Sequence, residues 1–457
     1  MTKEILTLEI EKLIYGGRSL AKTKDGYPIF IEGGCPSDIA KIEVVKRNKS
    51  YGIGKILEIE DASIHRVKPF CPLHNVCGGC GLQHITYEEQ LVQKENIVRE
   101  TISKIAGEEI EIRPVKSPDN ILHYRYKVQY PISQTKVSKK VIAGYYKKGT
   151  HEAVNIRYCP VQPKIIDKII EFIRLKAFEL NISGYDEKSH TGLLRHVIFR
   201  MSRSNKKILI ILVLNDKTIS KKIKLLAEAL SENQSVTGVL ANFNDKKTNV
   251  ITGENSELLT GENFITEEIN GIKYHVSAMS FFQVNPESAE IIFNTAKEMI
   301  SANTESPTIL DAYSGVSAFG LQMKDISKEI VCVEENKSST DDAKINVKIN
   351  NASNVKVIHD DASKTFERFV REGKNFDVVL LDPPRKGCSK ESLNFAAQLS
   401  TNIIVYVSCN PSTLASDIKY LKEKGFSAKY IQPVDMFCHT PHVETAVLLS
   451  KVNTHKE

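Results

Sequence analysis

From about Gly271 onward the chain alternates short apolar runs with helix-patterned stretches, and no other feature of the sequence constrains the fold as strongly. The runs at 308–310, 330–333, 355–358, 377–381 and 402–407 are each followed by a segment with helical spacing of apolar residues. A strand–helix succession of this kind builds a doubly wound parallel α/β sheet, which binds its ligand at the carboxyl edge of the strands.

Upstream the pattern differs. Residues 1–62 read as short strands (5–10, 28–31, 38–45, 53–59) with a Gly16-Gly17 turn and no helical segment, which predicts a small closed β-barrel. Residues 87–106 place Leu91, Ile97, Val98, Ile102 and Ile105 at helical spacing and predict one long amphipathic helix, expected to pack on the C-terminal sheet. Strands at 125–131, 141–147, 196–201 and 207–214, interleaved with helices at 165–180 and 220–230, predict an α+β middle domain. The expected division of this multidomain α/β chain is 1–62, 63–268 and 269–457.

The N-terminus, MTKEILTLEIEK, has acids where a secretory signal needs an apolar stretch, and the longest purely apolar run, 208–214, is too short to span a bilayer. A cytoplasmic protein with no membrane partner is expected. Of the formal net charge of +6, residues 101–210 hold 21 Lys and Arg against 10 Asp and Glu, a surplus of +11, so the remainder sums to −5. Such a basic block is the footprint of a phosphate-contacting surface, with Arg125, Lys127, Arg195 and Arg200 as candidate contacts; a solvated Lys-rich face is the alternative.

Nine cysteines without an export signal point to metal ligands or a nucleophile rather than a disulfide framework. The string FCPLHNVCGGCGLQH sets Cys71, Cys77 and Cys80 in a C-x5-C-G-G-C arrangement, and RYCPVQP supplies Cys159 as a fourth ligand. Four thiolates suit a structural zinc or an iron–sulfur cluster. Three ligands in one loop plus a distant Cys-Pro favour the cluster, whereas zinc sites usually come as two C-x2-C pairs.

TILDAYSGVSAFGLQM is an apolar strand ending in an acid, then a turn, then a helix. Ser317 stands where a dinucleotide fold needs its second glycine, which disfavours pyrophosphate. S-adenosylmethionine needs instead a carboxylate for its ribose, and Glu334 ends the next strand 23 residues after Asp311. Asp361 is a further candidate, for adenine. VVLLDPPRKG holds Asp382 at the same sheet edge, beside the reacting methyl, and IIVYVSCNPSTLASDI brings Cys409 there. A thiolate can add to carbon 6 of uracil and so make carbon 5 nucleophilic enough to be methylated; a packing cysteine is the alternative. Removal of the carbon 5 proton then needs a base, for which DMFCHTPHVETAVLLS offers Glu444, with His439 and His442 as rivals.

The motifs C-x5-C-G-G-C, FFQVN, D-x-Y-S-G, LLDPPRKG, SCNP-x-TLA and H-x-x-HVE occur in this order. With them the chain resembles, over essentially its whole length, the RNA 5-methyluridine methyltransferases, in particular the iron–sulfur branch acting on 23S ribosomal RNA. The resemblance implies an N-terminal TRAM barrel that binds RNA, a middle domain holding a [4Fe-4S] cluster on Cys71, Cys77, Cys80 and Cys159, and a Rossmann-like S-adenosylmethionine methyltransferase sheet. It implies cofactor contacts from Gln283, Tyr313, Glu334 and Asp382, with Cys409 as nucleophile and Glu444 as base; Gln283 rests on the resemblance alone. The target uridine would be flipped out of the RNA into the pocket. Ser317, Ser416 and Cys438 depart from the family pattern, which commonly has glycine, arginine and proline there. The expected partner is RNA, 23S ribosomal or alternatively transfer RNA, met by a monomer engaged in rRNA processing. Two rival readings are an RNA cytosine-5 methyltransferase using Cys388 after DPPRKG, and a non-catalytic iron–sulfur RNA-binding or assembly protein.

Overall fold

The computed structural model describes residues 4–452. Ile5–Leu13, Ser19–Lys22, Pro28–Ile31, Ile39–Arg47 and Gly52–Asp61 form a closed five-stranded barrel, sealed by the antiparallel pairing of the first strand with the fourth. Side chains of a strand alternate between its two faces, and this brings Ile10, Ala21, Ile29, Ile31, Ala40 and Ile42 together in the interior. Among the described residues no helix is long and apolar enough to cross a membrane.

A six-stranded sheet follows, in the order Asn255–Gly261, Val236–Phe243, Ile208–Leu214, Leu194–Met201, Lys127–Gln134, Val141–Ala143. Leu194–Met201 and Ile208–Leu214 are buried at every position, which is why ILIILVL shows no polar alternation. Helices Lys164–Glu179 and Lys221–Ser231 cover one face, packing on Val197, Phe199, Ile210 and Leu212. Through Ile198, Leu209, Ile211 and Val213 the other face joins the core of the C-terminal sheet, together with the hairpin Phe264–Ile269 and Ile272–Ser277.

The C-terminal sheet runs Val355–His359, Glu329–Glu334, Thr308–Ala312, Phe376–Leu381, Ser400–Ser408, Glu444–Lys451, Phe426–Val434, Glu111–Ile112. The first five are mutually parallel, and Glu444–Lys451 is inserted antiparallel between Ser400–Ser408 and Phe426–Val434. Ile309, Val378 and Val405 feed one face, while Leu310, Val379 and Ile404 feed the other. The strand order reverses between Thr308–Ala312 and Phe376–Leu381, and that reversal opens the crevice where such sheets bind ligands.

Helix Tyr87–Ala106 buries Val98, Ile102 and Ala106 against Leu414 and Ile418 of helix Pro411–Glu423. Its inward stripe differs from the expected one: Gln90, Gln93 and Lys94 are buried, whereas Ile105 is exposed. The polar members are accommodated because each has a partner, Lys94 an ion pair with Asp435 at 2.6 Å and Gln93 the backbone N–H of Leu13 at 2.8 Å.

Candidate active site

The first strand of the crevice ends in Asp311, fully buried, which accepts the backbone N–H of Gly320 at 2.9 Å. Burial pushes its carboxyl up to about 7. The turn that follows is held in left-handed conformations at Tyr313, Gly315 and Ser317, with φ of 61°, 55° and 61°. Ser317 therefore occupies, with a Cβ, a conformation that favours glycine. Glu334, at the end of the neighbouring strand, accepts the N–H of Gly315 at 2.9 Å and that of Asn336 at 2.7 Å. The carboxylate and the turn thus face one crevice. Asp311 Oδ1, Ser314 Oγ and Ser317 Oγ are buried and have no partner among the described residues. An unpaired buried polar atom costs about 1–3 kcal/mol, so three of them around one turn suit a polar ligand. The backbone two residues before Gln283 passes this turn, since a Cβ on Gly315 would stand 4.0 Å from the carbonyl oxygen of Phe281.

One of the sequence candidates is otherwise engaged. Asp361 caps helix Ala362–Arg371 by accepting the N–H of Lys364 at 3.0 Å, and this accounts for its place after the strand without a ligand. Tyr313 is largely buried, its phenol raised by burial and by the adjacent Cys388.

Strand pairing brings the reacting groups together. Ser408 stands opposite Thr445, whose hydroxyl donates to the Ser408 carbonyl at 2.9 Å, so the next residue on each strand, Cys409 and Glu444, flank one another at the sheet edge. Asp382 leaves the adjacent strand at the same edge. Cys409 and Glu444 lie close enough to Asp382 at this edge for it to affect their ionisation. Burial pushes the Cys409 thiol up to about 11, with Glu444 adding to the rise and Arg385 opposing it. Burial, reinforced by Asp382, raises the Glu444 carboxyl well above the ordinary range, and Arg385 again opposes. Asp382 is pushed up to about 7 by burial.

Arg385 carried no signal of its own in the sequence beyond following the two prolines. Its carbonyl accepts from the Asn410 side chain at 3.0 Å and its guanidinium lies 3.4 Å from His442 Nδ1. Asn410 in turn caps helix Pro411–Glu423 through the N–H of Ser412 at 3.1 Å, fixing the turn that holds Cys409.

The rival residues are placed otherwise. His439 is buried edge-on against Phe70 at 4.9 Å, its Nδ1 3.3 Å from the Gln90 amide, and its carbonyl accepts the N–H groups of Gly81 and Leu82 at 3.1 and 3.0 Å. It ties the cysteine loop to the catalytic loop. His442 is half-buried beside Arg385, with burial and Arg385 pushing it down to about 4. Cys388 has its thiol 3.6 Å from the Tyr406 hydroxyl and its N–H on Asp417 at 3.1 Å, and burial pushes it up to about 12. Of the remaining departures, Ser416 is exposed with its hydroxyl on the Ser412 carbonyl at 3.2 Å, and Cys438 is buried against the Tyr87 hydroxyl at 3.5 Å.

Cys71, Cys77, Cys80 and Cys159 line a single cavity, walled also by Tyr124, Arg125 and Tyr145. Burial pushes Cys80 up to about 11 and Cys159 up to about 12, and neighbouring thiols of the set add to both. The loop reaches this geometry because Gly78 donates its N–H to the Tyr146 carbonyl at 2.9 Å, an approach at which a Cβ would stand 3.1 Å from that oxygen. Among the described residues no three His, Cys, Asp or Glu side chains are gathered closely enough for a single metal ion.

Two of the four expected phosphate contacts, Arg195 and Arg200, are corrected by the structure. Arg195 and Arg200 are 2% and 3% exposed. Arg195 donates to the carbonyls of Asn244, Lys246 and Thr248 at 3.0, 2.8 and 2.6 Å, and Arg200 to those of Ala278 and Ser280. Lys127 is pushed down to about 7 by burial, and Arg125 lies in the cysteine cavity wall. Arg195 and Arg200 satisfy backbone carbonyls inside the protein, a task invisible in a count of charges.

The sequence profile of the family described as tRNA (uracil-5-)-methyltransferase matches residues 86–452, and that of the TRAM domain matches residues 1–57. An uncharacterized RNA methyltransferase of Oceanobacillus iheyensis is 37% identical over 449 residues, covering 98% of this chain and 96% of that one. One from Clostridium tetani is 35% identical over 441 residues, 96% and 95% of the two chains. Among solved structures, the Pyrococcus abyssi tRNA (uracil-54, C5)-methyltransferase in complex with S-adenosyl-L-homocysteine superposes with a TM-score of 0.76 at 25% identity, covering 97% of this chain and all of that one. The chain, a TRAM barrel followed by an S-adenosylmethionine-dependent methyltransferase fold, belongs to the RNA uracil-5-methyltransferase family.

Proposed function

We propose that the protein methylates carbon 5 of a uridine in 23S ribosomal RNA, with Cys409 as nucleophile and Glu444 as base. The observation that carries this reading is the strand register that sets Cys409 beside Glu444 at the edge where Asp382 and the cofactor crevice open. S-adenosylmethionine, when bound, supplies an electrophilic methyl group, and Gln283, Tyr313, Glu334 and Asp382 are the residues that would hold it.

The chain's own residues do the rest. Cys409, after its proton leaves to solvent, adds through sulfur to carbon 6, and the C5–C6 electron pair moves into an enolate ending at O4. Carbon 5 then takes the methyl. Glu444 withdraws the proton from carbon 5, the double bond re-forms, and sulfur leaves as thiolate. A carboxylate whose pKa is raised by burial is a stronger base than one in water, which suits this step. Arg385, whose charge opposes the shifts of both groups, favours their ionised forms.

Cys71, Cys77, Cys80 and Cys159 would hold a [4Fe-4S] cluster with a structural role, because all four positions are filled by protein. The resemblance of the ordered motifs to the branch acting on 23S ribosomal RNA supports that substrate. Transfer RNA is the second reading, favoured by the similarity to the Pyrococcus enzyme. The protein would act in the cytoplasm as a monomer.

Release of tritium from RNA transcripts carrying [5-³H]uridine tests the reaction and its substrate together. Release from 23S transcript and not from transfer RNA supports the first reading, the reverse supports the second, and release from neither removes both.

A further inference from the structure

The turn joining the first two strands of the barrel reaches the loops that hold Cys409 and Glu444. It is closed by the N–H of Gly17 on the Ile14 carbonyl at 3.0 Å and that of Ile14 on the Arg18 carbonyl at 2.8 Å. Gly17, at φ 82°, lies so near Pro441 that a Cβ would stand 2.8 Å from its Cγ. Just before the turn, Leu13 is buried with Leu82, Ile85 and Ile97, and its N–H is bound by Gln93 at 2.8 Å. The turn is therefore seated on the catalytic part of the molecule.

At its tip, Tyr15 keeps 42% of its surface exposed while its hydroxyl donates to Asn410 Oδ1 at 3.0 Å, on the residue after Cys409. Burial raises its phenol, Arg385 lowers it and Cys409 raises it further, which sets the ring within electrostatic reach of the reacting pocket. It is not alone there. Phe70, 45% exposed, stands against His439 of the loop leading to Glu444, and Phe281, 59% exposed, borders the cofactor turn. Three separate segments thus hold exposed aromatic residues next to loops of the catalytic part. Unpaired RNA bases are held by stacking on such rings.

We propose that Tyr15 is a substrate-positioning residue that stacks on a base next to the flipped uridine, so that the barrel holds the RNA strand at the catalytic mouth. The seating of the turn on Pro441 keeps the ring in place, and the stacking face does the holding. This inference rests on the uridine-methylation reading above.

The test combines kinetics with a stacking signal. Tyr15→Ala, Tyr15→Phe and Tyr15→Trp are assayed on whichever RNA the wild type methylates, and an oligouridylate carrying one 2-aminopurine reports stacking by quenching on binding. Tyr15→Ala is expected to raise the RNA KM about tenfold with kcat within about twofold, and to abolish the quench, while cofactor affinity is unchanged. Tyr15→Phe and Tyr15→Trp are expected to stay near wild type. A Tyr15→Ala variant with unchanged KM and quench overturns the proposal, as does a Tyr15→Phe variant impaired as badly as Tyr15→Ala. Wild-type protein that methylates no uridine yet quenches the probe through Tyr15 would remove the reaction assignment and leave the stacking role standing.

Discussion

Removing either half of the buried pair Lys94–Asp435 should destabilise the protein by about 3–5 kcal/mol, because the remaining charge is left without its partner inside the structure. Both side chains are completely inaccessible and their charged atoms lie 2.6 Å apart. The environments left behind differ. In Lys94→Met, the Asp435 carboxylate keeps the Tyr87 hydroxyl at 2.8 Å and the Phe437 N–H at 3.2 Å, which points to the lower end of that range. In Asp435→Leu, the ammonium keeps only the Phe437 carbonyl at 3.2 Å among its described protein partners, which points to the upper end. The double variant should be more stable than Asp435→Leu, since it leaves no uncompensated charge. Asp435 opens the loop that ends at Glu444, so both single variants should also lose methylation by more than they lose cofactor binding. Equilibrium urea unfolding followed by circular dichroism measures the stabilities, and the double-mutant cycle isolates the coupling. Single-variant losses below about 1 kcal/mol that simply add in the double would refute the reasoning.

Cofactor affinity should depend on pH through Asp382. Its carboxyl is raised to about 7, so the empty protein retains a proton there that the unfolded chain has already lost; this stabilising contribution is present in acid and disappears as pH rises from about 4 through 7. A sulfonium ligand favours the ionised carboxylate, so affinity should rise up to about tenfold per pH unit below 7 and then level off; calorimetric titration giving a flat profile, with no proton release, would contradict this. Ser317→Gly should stabilise the protein by about 0.5–1 kcal/mol by relieving the left-handed serine at φ 61°, and a lower melting temperature would count against strain at that turn. Cys388→Ala should retain most of the activity because that thiol is engaged by Tyr406, whereas a loss as complete as that of Cys409→Ala would revive the cytosine-5 reading. Protein purified without oxygen should contain iron and acid-labile sulfide in equal amounts, and zinc without sulfide would instead assign the four cysteines to a structural zinc.

The parallel strands of the catalytic sheet were legible because burial on both faces leaves runs such as VVLL and IIVYV without polar interruptions. Each catalytic candidate was legible from its place at a strand end. The strand Glu111–Ile112 was not, since two residues have no period and it exists only by pairing with Tyr430 and Ile431. Asn255–Gly261 was also hidden: NSELLTG is exposed along much of its length and gains its strand from Val236–Phe243 beside it. The buried arginines misled for a physical reason, because a guanidinium serving internal carbonyls reads in sequence like one serving phosphate. Tyr15 and Arg385 depend on contacts between distant segments, such as Tyr15 to Asn410 across 395 positions, and no local pattern encodes these.

Mass spectrometry of nucleosides tests the central claim most directly. Ribosomal and transfer RNA lacking the modification would be incubated separately with the protein and S-adenosylmethionine bearing a deuterated methyl, with Cys409→Ala alongside. Labelled 5-methyluridine in 23S ribosomal RNA, absent with the variant, is the predicted result; labelled 5-methylcytidine, or no label in any RNA despite bound cofactor, would contradict it.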